Sequence, residues 1–298
     1  MRRLFVLAAA MAVMAVFTTA PAKASQLIDR NASNVKLAVN AKGEALLTYS
    51  VGGEVKHVLA WGAVNAIAPT PLRQQVAFSL DYAGGYGKYH RTYWKTFGAD
   101  CGSYDGPPLG WLVAACKAPD GSYWAVQAWQ RALPDYGAPA SALESASELH
   151  LSHWTGAIAV LTIKEDWSYR RFDHLYGSLT YDGIGVYGFR STHAGAPLDS
   201  FGRNLYVDTF DSSYGAGWKR ENSFLTHKPK GTFCYGFYPH GSHPVGRGTK
   251  YRATVIGPGV TPDVLWQGNA PGPYNRAADL AANAEQRSAF ADPACKVN

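Results

Sequence analysis

Between residues 35 and 61 apolar side chains recur at every second position, a period that fits little except β-strand. Val35, Leu37 and Val39 alternate with polar or small neighbours, NAKG supplies a turn, and Ala45, Leu47, Tyr49 and Val51 alternate again. Gly52-Gly53 then leads into Val55, His57, Leu59 and Trp61. Side chains two apart on an extended chain share a face, so each run offers one face to a core and keeps the other for something else. A two-residue Gly-Gly link suits a type I′ turn, whose central residues both need positive φ. The stretch predicts a three-strand antiparallel meander.

The same grammar continues. Short runs rich in Val, Tyr, Trp, Phe and Thr occupy 76–80, 123–129, 148–153, 157–163, 185–189, 204–210, 232–238 and 249–257, separated by Gly, Pro, Asp and Ser. Strands without intervening helical periods predict a mainly β fold: an antiparallel β-sandwich or barrel-like architecture with long loops. Two helices are expected. One is short, SALESASE at 141–148, with a capping-box-like Ser141 and Glu144. The other runs from about Arg276 to Phe290, capped by Asn275, and its positions Ala277, Leu280, Ala281 and Ala284 predict an apolar face laid on the sheet.

The first twenty-four residues read as an export signal. Arg2 and Arg3 start it, Leu4 to Phe17 is an apolar run too short to span a bilayer comfortably, and Ala22-Lys23-Ala24 is a small-residue cleavage site. Residues 25–298 then form one large β-rich domain, and the linker-like stretch 133–142 is where a division would fall. Removal of Arg2, Arg3 and Lys23 lowers Lys plus Arg from 28 to 25 against 22 acids, so a formal +6 becomes +3. That takes away the main support for a nucleic-acid partner. The mature chain has no membrane-spanning run, and the expected location is extracellular.

Four cysteines in an exported chain predict disulfides, paired here as Cys101 with Cys116 and Cys234 with Cys295. The alternative, Cys234 as a thiol nucleophile with His240 nearby, would strand one cysteine. There is no Cys-x-x-Cys, so no metal site is predicted, and no motif calls for a cofactor. His150 and His153 sit three apart on a strand and point to opposite faces, which argues against a shared metal; His193, His240 and His243 lie in Gly-rich loops. A Gly-x-Ser-x-Gly motif is absent. Glu165, Asp166, Asp173, Asp208 and Asp211 lie on or beside predicted strands, where a glycosidase would mount its carboxylates.

Aromatic residues are the compositional feature with functional weight: 9 Trp, 18 Tyr and 12 Phe in a chain that is only 17% charged. Several fall in Gly-rich sequence that makes poor strand, DYAGGYGKYHRTYWKTF and beyond. Tyr86, Tyr89, Trp94, Tyr104 and Trp111 are the candidate ligand-binding residues there. Flat rings stack on sugar faces while nearby polar groups satisfy the hydroxyls. The sequence therefore predicts a non-catalytic binding protein, with an extracellular polysaccharide or another envelope component as partner. A secreted hydrolase on a β scaffold is the alternative, and an envelope structural or protein-interaction protein is the third reading.

Overall fold

The computed structural model describes residues 25–67, 75–130, 146–186, 190–191, 197–198, 204–224, 231–238, 246–256 and 259–290. The first half of the chain contributes β1 (Gln26–Arg30), β2 (Ser33–Val39), β3 (Ala45–Val51), β4 (Glu54–Trp61), β5 (Ser79–Asp81) and a single helical turn α1 (Tyr86–Tyr89). It continues with β6 (Gly102–Ser103), β7 (Leu112–Lys117), β8 (Tyr123–Gln130) and β9 (Ser147–Trp154). The second half supplies β10 (Ala159–Ser168), β11 (Phe172–Tyr181), β12 (Ile184–Gly185), β13 (Arg190–Ser191), β14 (Pro197–Leu198) and β15 (Asn204–Ser212). Then follow β16 (Gly215–Phe224), β17 (Thr232–Gly236), β18 (Lys250–Ile256), β19 (Val264–Asn269) and the helix α2 (Arg276–Phe290).

The architecture is mainly β and antiparallel, as expected, and it is a sandwich rather than a barrel: no sheet closes among the described residues. In the first half the sheet β2-β3-β4-β5 faces the sheet β1-β9-β8-β7-β6 across a core of Val39, Leu47, Val58, Trp124, Val126, Leu149 and Leu151. In the second half β10-β11-β12, with β17 on β11, faces β16-β15-β18-β19 across Ile163, Leu175, Phe233, Val207, Ala253 and Val255. Trp129 and Ile256 meet between the halves, with Trp111, Tyr206 and Leu265 packed on them. The segment 259–263 after β18 runs back to the first half, where Val260 joins the core and hydrogen-bonds Asn65 and His153. The stretch 133–142 lies outside the described residues.

The three-strand meander forms as predicted, except that in β4 the row Val55, His57, Leu59 and Trp61 lies on the outer face and Val58 and Ala60, opposite Leu47 and Ala45, enter the core. Gly52 and Gly53 both take positive φ, 60° and 87°, and close the β3–β4 hairpin with Val51 opposite Glu54. The short helix expected at 141–148 is not formed at its C-terminal end. Ser147 and Glu148 belong to β9, paired with Gln130 and Trp129, so cross-strand pairing overrides the local capping signal; 141–145 lie outside the described residues.

The C-terminal helix occupies Arg276–Phe290 as predicted, and the Asn275 side chain caps it by accepting from the Ala278 amide at 3.0 Å. Its orientation is the reverse of the expectation. Ala277, Ala281 and Ala284 face solvent and Leu280 is 53% exposed, whereas Asp279, Asn283 and Gln286 are buried. The reason is the surface beneath. Asp166, His174 and Tyr176 line the outer face of β10–β11, and only polar side chains satisfy them.

Candidate binding face

The outer face of the first sheet is built from the non-core positions of the meander. Leu46 opposes Leu59 and Thr48 opposes His57, with Glu44 and Trp61 continuing the row. Over them folds the aromatic segment 82–97. Gly84 and Gly85 make the close approach: both have positive φ, and a Cβ on Gly84 would lie 2.7 Å from the His57 Cβ. The Asp81 carboxylate accepts from the amides of Ala83 and Lys88, and the Trp94 amide returns to the Gly84 carbonyl at 3.2 Å. The segment is thereby closed on itself by Asp81 and its own backbone before any of its own side chains anchors it.

Glu44 is the anchor. Its buried carboxylate accepts from Lys88 Nζ at 2.7 Å, from Tyr93 Oη and Asn40 Nδ2 at 2.9 Å each, and from the Tyr89 hydroxyl. Burial alone would raise its pKa, but the donors from Lys88, Tyr89, Asn40 and Tyr93 outweigh it and hold the group at about 2. The same pairing, added to burial, pushes the Tyr93 phenol up to about 12. Lys88 Nζ also sits 4.0 Å above the Trp61 ring. Trp94 stacks on His57 with centroids 4.1 Å apart and planes within 11°, and burial there lowers the His57 pKa.

These contacts sort the five predicted ligand residues. Tyr86, Tyr89 and Trp94 lie together on this segment: Tyr86 is 55% exposed, while Tyr89 and Trp94 are half-buried with their rings or hydroxyls engaged. Tyr82, at the start of the segment, is 58% exposed. Tyr104 packs elsewhere, against Tyr123 and Trp154, with its hydroxyl on the Pro107 carbonyl. Trp111 packs on Trp129 and Ile256, its carbonyl accepting from Ala128. Tyr123 and Ala128 are separated by five residues of β8, roughly 17 Å of strand. Tyr104 and Trp111 therefore mark opposite ends of that strand.

The acid candidates are mostly committed to partners. Asp208, fully buried, accepts from Arg220 Nε at 2.6 Å and from Arg252 Nη2 at 2.8 Å. Arg220 also lies 4.0 Å from the Tyr206 ring centroid, and Arg252 lies 4.6 Å from that of Trp218. Asp173 accepts from Tyr251 Oη at 2.5 Å and pairs with Arg247 at 3.2 Å, although burial raises its pKa. Burial likewise raises Glu165. Asp211 sits at the β15–β16 turn and accepts from the Gly217 amide at 2.7 Å. Asp166 is held between His174 and Gln286.

His150 and His153 serve separate neighbourhoods. His150 stacks on Trp129 and contacts Glu148 and Ser25, whose hydroxyl donates to Asp263 at 2.8 Å. His153 stacks on Trp124 and contacts the Ala63 carbonyl and Ser122. His193, His240 and His243 lie outside the described residues, and among those described no three His, Cys, Asp or Glu side chains are grouped to hold a metal ion. Cys101 and Cys116 form the predicted disulfide, with Cα atoms 5.7 Å apart. Cys234 is also disulfide-bonded, which removes it as a nucleophile; its expected partner Cys295 lies outside the described residues. No described helix is long and apolar enough to cross a membrane.

Sequence reasoning found the aromatic segment by its glycines and rings but missed Glu44, which is 38 positions from Tyr82 and carries no local signal. Comparison with known proteins returns no match: no family model, no curated protein and no solved structure is similar to this chain.

Proposed function

We propose that the protein is an exported, non-catalytic binding protein, and that its ligand is a carbohydrate polymer laid across the segment 82–97. The observation that carries this reading is the exposure of Tyr82 and Tyr86 on a segment where Glu44 pins Tyr89 and Tyr93 and His57 pins Trp94. Exposed rings on a pre-ordered support lose little freedom when they grip a ligand. Retention on a panel of insoluble polysaccharides, with a glycan array alongside, tests it. Tyr82→Ala and Tyr86→Ala should each weaken retention several-fold with the melting temperature unchanged. Wild-type protein that retains no glycan would overturn the reading.

A hydrolase is the second reading, and the Asp166–His174 pair favours it, since a carboxylate on one ring nitrogen orients an imidazole for general-base work. Both groups lie buried beneath α2, which counts against it. Turnover of a chromogenic glycoside or ester that disappears in His174→Ala would put this reading first.

A further inference from the structure

Given the binding reading above, we infer that the ligand is an anionic polysaccharide, its uronate carboxylates met by Arg91 and Lys95. Residues 82–99 include Lys88, His90, Arg91 and Lys95 and not one acid. Charge accounting over the segment and its neighbours separates used cations from free ones. Lys88 is spent on Glu44 at 2.7 Å, and Lys56 on Asp29 at 2.9 Å. Asp81, at the edge of the segment, is turned to the backbone amides of Ala83 and Lys88. Asp100, just beyond it, accepts from the Ala41 amide at 3.1 Å.

Of the lysines and arginines on the segment, Arg91 and Lys95 remain, both exposed and neither in an ion pair with a described residue; Lys36, opposite Thr48 on the sheet below, is exposed too. The nearest engagements of Arg91 and Lys95 are with rings of their own segment. The Arg91 guanidinium lies 5.2 Å from the Tyr93 centroid and Lys95 Nζ 5.3 Å from that of Trp94. The Gly84–Trp94 closure therefore presents exposed rings and uncommitted cations on one ordered segment. Rings take the sugar faces, and the planar guanidinium fork fits a planar carboxylate. A neutral glucan would use the rings and leave both cations idle.

The test uses the full mature chain with polygalacturonate and its fully methyl-esterified form, which share a backbone and differ in charge. Polygalacturonate should bind at least tenfold tighter, and its affinity should fall as salt rises. The double variant Arg91→Ala/Lys95→Ala should bring it to the level of the ester while circular dichroism and melting stay those of wild type. Tyr86→Ala should weaken both polymers. Equal binding of acid and ester overturns the anionic inference and leaves the carbohydrate reading standing. Binding to neither polymer nor to any arrayed glycan removes both. Dextran sulfate bound more tightly than polygalacturonate replaces uronate by sulfate, and equal binding to single-stranded DNA reduces the site to charge alone; either result overturns the uronate assignment.

Discussion

Asp166 and His174 face each other across the β10–β11 pair, with Asp166 Oδ1 2.5 Å from His174 Nδ1. Gln286 Nε2 donates to the other carboxylate oxygen at 2.6 Å, so one acid ties two strands to a helix 120 positions away in sequence. Both ends of this tie are buried, in a setting where an unmade hydrogen bond costs more than a made one gains.

The docking of α2 should follow from that tie rather than from its alanines. Gln286→Ala should cost about 1–3 kcal/mol, because it leaves a buried carboxylate oxygen without its donor. Leu280→Ser, on the exposed face, should change stability by less than about 0.5 kcal/mol. Urea unfolding of the two variants checks the ranking, and the reverse order would mean that the helix is held by its apolar side.

Asp208 is the sole described carboxylate between two buried guanidiniums, and its loss should be severe. Asp208→Asn leaves Arg220 and Arg252 without a counter-charge, and breaking a buried pair in this way costs about 3–5 kcal/mol. Denaturant midpoints would measure it. A loss below about 1 kcal/mol would mean that the tyrosine and tryptophan rings alone can carry both cations.

Acid should destabilise the protein in two stages. His153 is neutral in the fold because burial lowers its pKa below 6.5. The unfolded chain then takes up the proton first, so stability is full above pH 6.5 and declines below it. Glu44 adds a second stage: its pKa of about 2 lies below the ordinary 4.5, so its contribution is full above pH 4.5 and is lost as pH falls toward 2. Melting temperatures across pH 8 to 2 should show the first decline vanish in His153→Gln and the second flatten in Glu44→Gln.

The Cys101–Cys116 bridge closes a loop with a sequence separation of 15. By loop-closure entropy its removal in Cys101→Ala/Cys116→Ala should cost about 3 kcal/mol. Thermal unfolding of the double variant measures this, and an unaltered melting temperature would show that the reduced chain keeps the loop closed by other contacts.

The strands were legible because alternation is a local property. From Lys36 to Trp61 the pairing follows from period two and the NAKG and Gly-Gly turns, and α2 was legible from its alanines and Asn275. What alternation cannot disclose is the use of the second face. In β4 the row Val55, His57, Leu59 and Trp61 reads as the apolar face, yet it lies away from the sandwich core with Leu59 beneath segment 82–97, while Val58 and Ala60 enter the core. Asp208 reads as a candidate glycosidase carboxylate on a strand, because the arginines that engage it arrive from 12 and 44 positions downstream. For α2 the pattern misled for a physical reason: alanine is the best helix former wherever it points, so a row of alanines records helix propensity and not burial.

That helix has a further consequence. An element whose described buried side chains are Asp279, Asn283 and Gln286, with Leu280 already in water, sheds little oily surface from those side chains when it lets go. Detachment of α2 would uncover the polar side chains Asp166, His174 and Tyr176, so a chain ending before Arg276, with Cys234→Ser to replace the thiol that loses its partner, should stay monodisperse in solution instead of clumping. Its departure would also add little to the heat capacity of unfolding, which tracks exposed hydrocarbon. A calorimeter would register the loss of this helix faintly, and a protease would register it clearly.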